Sequence, residues 1–297
     1  MALPEFPDSR LLELEDKPRL DGLLAAMQPE LSQYTFTNIY AWRHIEKTRI
    51  AISDEFVLVF FELPDLRVFL EPTGQGDKRA AIERCLRLSK DRASEFQYLA
   101  WNTVALFQAD PGYLIEQDRN NSDYLYPAKD LIDLAGRKYD AKRNFIRRFS
   151  AKHTWRYQPI TRELIPACLE FEERWCLDRS CQSDPSMSHE HSAVVEMLGN
   201  AQALGFSGGV IEAEGAIAAY ALGERLNQDT FVVHAEKADA KLTGIYAVIN
   251  NEFLRHEAGG CRYVNREQDL GIPGLRKAKQ SYHPTRIIDA YRLRLRA

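Results

Sequence analysis

The stretch from Thr230 to Pro284 constrains the fold most, because it alternates strand and helix patterns with polar residues at each junction. A β-branched and aromatic run from Thr230 to His234 predicts a strand. A polar loop and Gly244 then precede an amphipathic helix, and a second short strand runs directly into Asn265-Arg266-Glu267. Open α/β sheets bind ligands where strands end and helices begin, so this stretch is where we expect a functional site.

The two halves of the chain share one predicted order of elements. Each half runs helix, helix, three antiparallel strands, loop, helix, strand, helix and strand, although no residue-level repeat relates them. A strand over Tyr113–Glu116 closes the first half. We therefore expect an N-terminal domain over residues 1–135 and a C-terminal domain over 136–297, with a basic bridging helix at 137–149.

Composition excludes some classes of partner. The 297 residues carry a formal net charge of −4 and are 45% hydrophobic, which is ordinary for a soluble globular protein and gives no bulk attraction to nucleic acid. The strongly apolar run Phe56–Phe61 is too short to span a bilayer, and no signal-peptide pattern is visible. Five cysteines without a CxxC motif indicate a reducing compartment. We expect a cytoplasmic protein without an integral membrane segment.

Four segments carry a family resemblance. They are TFTNIYAWR (Thr35–Arg43), KRNFIRRF (Lys142–Phe149), HAEKADAKLTGIYAVIN (His234–Asn250) and NREQDLGIPGLRKAKQSYHP (Asn265–Pro284). Together with the order of elements, they resemble the bacterial family related to the phosphatidylglycerol lysyltransferase C-terminal domain. The resemblance implies an α+β fold of two tandem GNAT (N-acyltransferase) domains, with mixed, mainly antiparallel sheets flanked by helices, similar to FemABX-type proteins.

The resemblance also implies a reaction. Such relatives move an aminoacyl group from tRNA to an amine or a lipid hydroxyl, so the expected donor is acyl-coenzyme A or aminoacyl-tRNA and no metal is expected. The acceptor would be a small molecule or a lipid headgroup. The GNAT fold binds its donor at the loop after the fourth strand, where free N–H groups hold an anion. The corresponding positions are Ala238, Lys241, Thr243 and Gly244, in a loop with one glycine where the family usually has more.

Acyl transfer needs a proton acceptor for the nucleophile and a proton donor for the leaving group. Glu236 and Glu267, each at a strand end, are candidate bases. His234 lies on the same strand face as Glu236, so a His–Glu pair could tune the acceptor; the alternative is a strand-end salt bridge to Lys237 or Arg266.

Other candidates hold the donor or the acceptor. In many GNAT enzymes a tyrosine on the last helix protonates the leaving group, and Tyr282 resembles this tyrosine. The alternative is that Tyr282 is a packed core residue. Asn265 and Arg266 beside Glu267 could clamp a carboxylate and an amine, as in an amino acid, or could form a structural network. The basic side chains could bind substrate phosphates or tRNA, or could be solvated surface charges: Lys142, Arg143, Arg147, Lys277 and Lys279.

One alternative concerns the function as a whole, and another concerns a zinc site. A non-catalytic binding protein for an amino-acid-like ligand, which retains the GNAT fold, is the alternative to a transferase. The cysteine and histidine pairs at 176, 181, 189 and 191 match no standard zinc spacing.

Overall fold

A computed structural model describes residues 2–89 and 92–296 and places them in two units. The first unit takes in residues up to 123 together with 268–273 and 287–296, and the second takes in residues 124–267 and 274–286. The second unit therefore contains residues 124–135 and the basic segment 137–149.

The first part of the chain alternates helices with short strands. Its elements are β1 (Arg10–Leu11), α1 (Lys17–Met27), α2 (Phe36–Glu46), β2 (Thr48–Ser53), β3 (Phe56–Glu62), β4 (Leu66–Phe69), β5 (Thr73–Gly74), α3 (Lys78–Leu88), β6 (Ala93–Leu99), α4 (Trp101–Val104) and β7 (Tyr113–Pro127). The side chain of Thr35 accepts the N–H of Asn38 and that of Asp77 accepts the N–H of Ala80, so both α2 and α3 begin at capping residues.

The rest of the chain supplies seven helices and six strands to the described structure of 2–89 and 92–296. They are α5 (Ala128–Asp133), α6 (Asp140–Lys152), β8 (Trp155–Pro159), α7 (Ile165–Arg179), α8 (Pro185–Gly199), α9 (Ala201–Leu204), β9 (Ser207–Ala213), β10 (Ala216–Arg225), β11 (Thr230–Ala238), α10 (Ile245–Glu257), β12 (Tyr263–Asn265), α11 (Pro273–Gln280) and β13 (Arg286–Leu295).

Each unit contains strands in mixed pairing. In the first unit the strand order is β1-β2-β3-β4-β6-β13, with β5 paired to β3. In the second unit the last residues of β7 pair with β12, and the order continues β11-β10-β9-β8. The pairs β4–β6 and β11–β12 are parallel and their neighbours are antiparallel. This confirms the expected α+β fold with mixed, mainly antiparallel sheets flanked by helices.

Apolar residues with strand and helix periodicity form the cores. In the first unit, aromatic rings from three strands pack together, with Phe60, Phe69 and Phe96 fully buried. In the second unit, α10 packs Val248, Ile249 and Phe253 against the sheet, as its sequence pattern predicts. Burial of a large apolar side chain contributes about 1.5–3 kcal/mol, so these layers hold the strands that carry polar residues at their ends.

The strand predicted over Tyr113–Glu116 is longer than expected. It continues to Pro127 through the polar run at 118–123. The polar side chains there bond within the first unit: Ser122 Oγ donates to the carbonyl of Asp118, and the Asp118 carboxylate accepts from Asn121 and Arg292. Because these side chains satisfy one another, the backbone can remain extended.

Candidate functional site

The parallel pair β11–β12 ends abruptly in the second unit. Its register contains three pairs, from Thr230↔Tyr263 to Val232↔Asn265. Beyond that point the two strands are no longer paired, while β11 continues to Ala238 along β10. The residues that follow the last pair therefore lie at a diverging strand junction, which we call the strand fork: His234 and Glu236 on one side, Arg266 and Glu267 on the other.

A β-bulge lies at the same place. On β10, Gly223 pairs with Val233 and the next residue, Leu222, pairs with Ala235, so His234 has no partner in the β10–β11 register. Bulges re-aim side chains and are frequent at functional sites. At His234 the pairing of β11 with β12 has already ended, and its pairing with β10 is interrupted by the bulge.

His234 is clamped between two carboxylates. Its Nδ1 is 2.8 Å from Oε1 of Glu267 and its Nε2 is 3.0 Å from Oε1 of Glu224, with 1% of the side chain exposed. Burial lowers the pKa of His234, but the hydrogen bonds to Glu224 and Glu267 outweigh it and raise the pKa to about 9. A cationic imidazole donating to both carboxylates holds the fork in one geometry. The expected pairing of His234 with Glu236 does not form; Glu236 contacts Arg266 instead.

Glu236 and Arg266 form the charged centre of the fork. The guanidinium donates through Nη2 at 2.5 Å and through Nε at 3.1 Å to Oε2 of Glu236. The two side chains are only 14% and 12% exposed, for Arg266 and Glu236 respectively. Among the residues that the structure describes, Glu236 Oε1 and Arg266 Nη1 are buried without a hydrogen-bond partner. One unpaired acceptor and one unpaired donor thus remain in one buried ion pair, which is costly unless a ligand meets them.

Two tyrosines and a lysine enclose this ion pair. The Arg266 guanidinium carbon lies 4.6 Å from the ring centroid of Tyr282 and 5.8 Å from that of Tyr126. Lys142 Nζ lies 3.6 Å from the Tyr282 ring centroid and donates to Ser281 Oγ at 2.7 Å. Cations near aromatic faces are stabilised, particularly where water is excluded.

The enclosure changes the acid–base properties of its members. Burial raises the pKa of Tyr282 to about 12, although the charge of Arg266 opposes this shift. Burial and the charge of Arg266 lower the pKa of Lys142 to about 8, against the influence of Glu236. Tyr282 therefore keeps its proton as a hydroxyl donor, while Lys142 is neutral in a sizeable fraction near pH 8.

Asn265 and Lys279 contact the backbone of the strand fork. Asn265 is fully buried, and its Oδ1 accepts the backbone N–H of Glu267 at 2.7 Å. Lys279 Nζ donates to the carbonyl of Arg266. Asn265 and Lys279 thus fix the backbone on either side of Arg266.

The residues of the predicted donor loop differ in their exposure to solvent. Ala238 is buried in β11, paired with Ala219, and Thr243 is exposed. Lys241 is exposed and forms an ion pair with Asp178 at 2.6 Å. Gly244 precedes the first residue of α10 with φ +100°, a conformation that favours glycine.

The backbone of Phe145 packs closely against Gly244. A Cβ at this position would lie 2.7 Å from the carbonyl oxygen of Phe145. We expect Gly244→Ala to lower the free energy of unfolding by about 1–3 kcal/mol, because both the backbone angle and the contact are unfavourable. Urea denaturation measures this loss. Gly259→Ala, where nothing lies within 4 Å, is the control, and equal effects of both changes would contradict the assignment.

The basic candidates fall into two groups. Lys142 and Lys279 lie next to the strand fork: Lys142 contacts Tyr282, and Lys279 donates to the carbonyl of Arg266. Lys277, Arg143 and Arg147 are exposed, and the last two bond to their own neighbourhood: Arg143 to the carbonyl of Gly136 at 2.9 Å and to Asp140, and Arg147 to Asn144.

The first unit contains a comparable fork that is closed. Its parallel pair β4–β6 ends at Phe69↔Phe96, and two residues beyond lie Glu71 and Tyr98. Tyr98 has φ +55°, and Glu267, also two residues beyond its last pair, has φ +56°. In the first unit the Tyr34 hydroxyl accepts the Glu71 N–H at 3.0 Å and donates to the Tyr98 carbonyl at 2.9 Å.

Tyr34 therefore bridges the strand tips of the first unit with its own hydroxyl. The Glu71 carboxylate of that region keeps one buried oxygen, Oε2, without a hydrogen-bond partner among the described residues, whereas the second unit holds an unpaired donor and an unpaired acceptor in one ion pair. The unpaired donor beside the acceptor favours the second unit as the ligand-binding one.

Sequence reasoning missed three contributors to the site: Glu224, Tyr126 and Ser281. Each comes from an element outside the strand–loop–helix stretch or from its far end, and each reaches the fork only through strand order and helix packing. Strand alternation places Glu224 next to the bulge, but neither the bulge nor its partner can be read from a local pattern.

The family model described as "Phosphatidylglycerol lysyltransferase, C-terminal" matches residues 24–294. The chain belongs to this family. A conserved protein of unknown function from Bacteroides thetaiotaomicron is similar to it at 32% identity and a TM-score of 0.92, covering 97% of this chain and 99% of that one. Comparison with the curated proteins finds no significant match.

More distant structures of the phosphatidylglycerol lysyltransferase C-terminal family and its fold relatives are similar too. L-PGS from Bacillus licheniformis matches with a TM-score of 0.65 at 15% identity, covering 100% of this chain and 95% of that one. A tandem GNAT protein from the clavulanic acid biosynthesis pathway matches with a TM-score of 0.51 at 10% identity, covering 96% and 97%. These likenesses confirm a tandem, acyltransferase-like GNAT fold.

Among residues 2–89 and 92–296, no helix has both the length and the apolar character needed to cross a bilayer. The same residues contain no group of three or more His, Cys, Asp or Glu side chains placed to hold a metal ion.

Proposed function

We propose that this chain is an acyltransferase whose preferred donor carries an aminoacyl group, and that the strand fork of the second unit is its reaction centre. The single observation that carries the proposal is the unpaired acceptor Glu236 Oε1 beside the unpaired donor Arg266 Nη1. An aminoacyl ester offers the complement of this pair: an ammonium group that donates, and a carbonyl oxygen, three bonds from the ammonium nitrogen, that accepts.

This complement favours an aminoacyl donor such as aminoacyl-tRNA over a plain acyl donor such as acetyl-coenzyme A. A plain acyl group has a carbonyl oxygen for Arg266 but no cation for Glu236. Leaving a buried carboxylate oxygen unmet costs about 1–3 kcal/mol, which corresponds to a discrimination of about fivefold to above 100-fold.

The surrounding groups suit the proton transfers of such a reaction. The acceptor hydroxyl or amine forms the new bond to the carbonyl carbon and gives its proton to the amine of Lys142. The ester bond of the donor breaks, and its leaving oxygen takes the proton of Tyr282. Arg266 Nη1 stabilises the negative charge that develops on the carbonyl oxygen.

The acceptor is proposed from family likeness. The family is named for transfer of a lysyl group to phosphatidylglycerol, so a lipid headgroup hydroxyl is one candidate acceptor, and a small-molecule amine is the other. The exposed side chains of Arg143, Arg147 and Lys277 are available to contact phosphates of tRNA.

A binding experiment tests the charged centre. Alaninamide, lysinamide and phenylalaninamide imitate the aminoacyl end of a donor, and propionamide is the same as alaninamide without its ammonium group. We expect Glu236→Gln to weaken binding of the amino-acid amides at least tenfold in calorimetric titration, and propionamide to bind neither protein. Glu170→Gln, on the exposed face of α7, is the control.

A transfer experiment tests the reaction. A radiolabelled aminoacyl-tRNA pool is incubated with the protein and with lipid or amine acceptors, and acetyl-coenzyme A serves as the competing donor. Label transfer that requires Arg266 supports the proposal. Tight coenzyme A binding without tRNA binding would refute the aminoacyl donor. Binding of free amino acids without any transfer would support the alternative of a non-catalytic binding protein.

A further inference from the structure

Exposed apolar side chains concentrate in one short segment of the chain. Leu270 is 47% exposed, Ile272 is 46% exposed and Leu275 is 36% exposed, all within six consecutive residues. No other window of six residues in the described ranges, 2–89 and 92–296, contains three large exposed apolar side chains. Single exposed apolar residues are common on soluble proteins, whereas a cluster of them marks a surface that contacts another molecule.

Two of these side chains belong to a turn with a fixed backbone, residues 269–272, which we call the apolar turn. The carbonyl of Asp269 accepts the N–H of Ile272 at 2.9 Å, and the carbonyl of Asn120 accepts the N–H of Leu270 at 2.9 Å. Asp269 is fully buried, and its Oδ1 accepts the N–H of Gly271 at 2.8 Å. Hydrogen bonds thus hold the backbone of the turn, while the side chains of Leu270 and Ile272 are exposed to solvent.

The backbone of the apolar turn has a conformation that leucine disfavours. Leu270 has φ +52°, in the left-handed region where glycine and asparagine are the usual residues. Either of these residues would fit the backbone better and would not place an apolar side chain in water. Leucine at position 270 therefore lowers the stability of the protein alone on both counts, and a contact with an apolar environment would offset that cost.

The charge of the residues that follow the turn indicates the kind of partner. The whole chain has a net charge of −4, yet residues 270–288 contain no Asp or Glu. The same residues contain four cationic side chains: Arg276, Lys277, Lys279 and Arg286. Lys277 is exposed. The Asp269 carboxylate, which begins the turn, is buried and lies 3.4 Å from Nη1 of Arg119. The segment therefore combines apolar side chains with positive charge.

Exposed apolar side chains followed by cationic ones fit the surface of an anionic bilayer. Leucine and isoleucine leave water when they enter the boundary between headgroups and acyl chains, and lysine and arginine are attracted to the negative lipid surface. The phosphates of an RNA would match the cations, but would leave Leu270 and Ile272 in water. Protein interfaces are depleted of lysine, and two of the four cations are lysines. The combination therefore favours a lipid surface.

We propose that residues 270–277, the exposed part of the apolar turn and the start of α11, dock the protein on an anionic lipid bilayer. Leu270 and Ile272 enter the boundary between headgroups and acyl chains, and Lys277 contacts lipid phosphate groups. The proposal rests on this surface alone and does not depend on the reaction proposed at the strand fork. Docking on a bilayer would favour a lipid headgroup over a small amine as the acceptor of that reaction.

Cosedimentation of the full chain with vesicles tests the proposal. Vesicles of phosphatidylcholine that contain one quarter phosphatidic acid are compared with vesicles of phosphatidylcholine alone. Phosphatidic acid is anionic but lacks the alcohol headgroup of phosphatidylglycerol, so its binding does not report on the acceptor site of the strand fork. We expect the anionic vesicles to bind at least tenfold more tightly than the neutral ones, and high salt to weaken this binding, because salt screens exposed charges.

Variants locate the contact. Asparagine tolerates the left-handed conformation, so Leu270→Asn combined with Ile272→Thr removes the apolar surface and keeps the turn. We expect this double variant to bind anionic vesicles at least tenfold more weakly. Leu106→Asn removes another apolar side chain of the first unit, 45% exposed, and should leave the affinity unchanged. Lys277→Gln is expected to weaken binding about fivefold at low salt. Lys129→Gln, at a side chain that is 87% exposed, is its control.

The outcomes separate lipid docking from other uses of the same surface. Circular dichroism checks that each variant is folded. Absence of binding to anionic vesicles, equal binding to neutral ones, or binding that the double variant leaves intact would overturn the proposal. So would tRNA binding, or self-association in sedimentation velocity, that the double variant abolishes while vesicle binding persists. A wild type that binds anionic vesicles but no amino-acid amide would refute the strand fork alone and support docking.

Discussion

Arg266→Ala is expected to lower the free energy of unfolding by about 3–5 kcal/mol, because it leaves the Glu236 carboxylate buried without its charge partner. The side chains of the pair are 14% and 12% exposed, so water can replace little of the lost interaction. The change also removes the guanidinium from between the Tyr126 and Tyr282 rings. Urea denaturation of the wild type and the variant, fitted with a common slope, measures the difference.

The double variant Glu236→Leu with Arg266→Met separates burial of charge from loss of packing. Replacement of a buried ion pair by apolar residues of similar volume is often neutral or stabilising, so we expect the double variant to recover most of the stability lost in Arg266→Ala. It should not recover binding of amino-acid amides, since both unpaired polar atoms are gone. A loss below about 1 kcal/mol in Arg266→Ala would show that the pair is hydrated, against the burial described here.

The second large effect is a pH dependence that His234 imposes. Its pKa is raised in the folded protein from 6.5 to about 9, since the hydrogen bonds to Glu224 and Glu267 outweigh burial. A raised pKa means that the folded state binds the proton more tightly than the unfolded state does. The resulting stabilisation is complete below about pH 6.5 and is lost as the pH rises through about 9. Each tenfold change in proton affinity is worth about 1.4 kcal/mol, so the contribution is about 3 kcal/mol.

The measurement compares the wild type with His234→Gln between pH 6 and pH 10. Glutamine keeps a side chain of similar length but cannot carry the charge. We expect the wild type to be more stable at pH 6 and the difference to shrink steadily up to about pH 10. The comparison between the two proteins matters because Lys142, whose pKa is lowered to about 8, titrates in the same range with the opposite sign. A difference that stays constant with pH would show that His234 is neutral in the fold.

The predicted and observed structures agree best where a local pattern carries the information. The apolar spacing of Ile245, Val248, Ile249 and Phe253 predicts a helix, and α10 buries all four. The alternation of charged and apolar residues over Thr285–Leu295 predicts a closing strand, and β13 begins one residue later, at Arg286. The family segments are long enough to imply the tandem GNAT fold, which the comparisons confirm.

Agreement is weaker where polar residues are paired by distant partners. The run at 118–123 is polar and charged and yet extended, because its side chains bond to one another and to Arg292. His234 and Glu236 share a strand face, yet each has a different partner across the fork. The alternation of residues along a strand predicts which face of the sheet a side chain lies on. The partner that the side chain contacts depends on strand order, which the alternation does not predict.

The amino-acid sequence by itself determined the kind of elements, their order, and the polar residues that cluster at the ends of β11 and β12. Periodicity and turn chemistry act over a few residues, so these features are written locally. Only the tertiary structure decided that Lys142, from α6, lies against Tyr282, that Glu224 closes on His234, and that Tyr34 bridges the fork of the first unit. The contacts of Lys142 and Tyr34 join residues far apart in the chain, and the contact of Glu224 with His234 depends on the bulge between two strands. The energies of all three depend on burial, which exists only once each unit has folded.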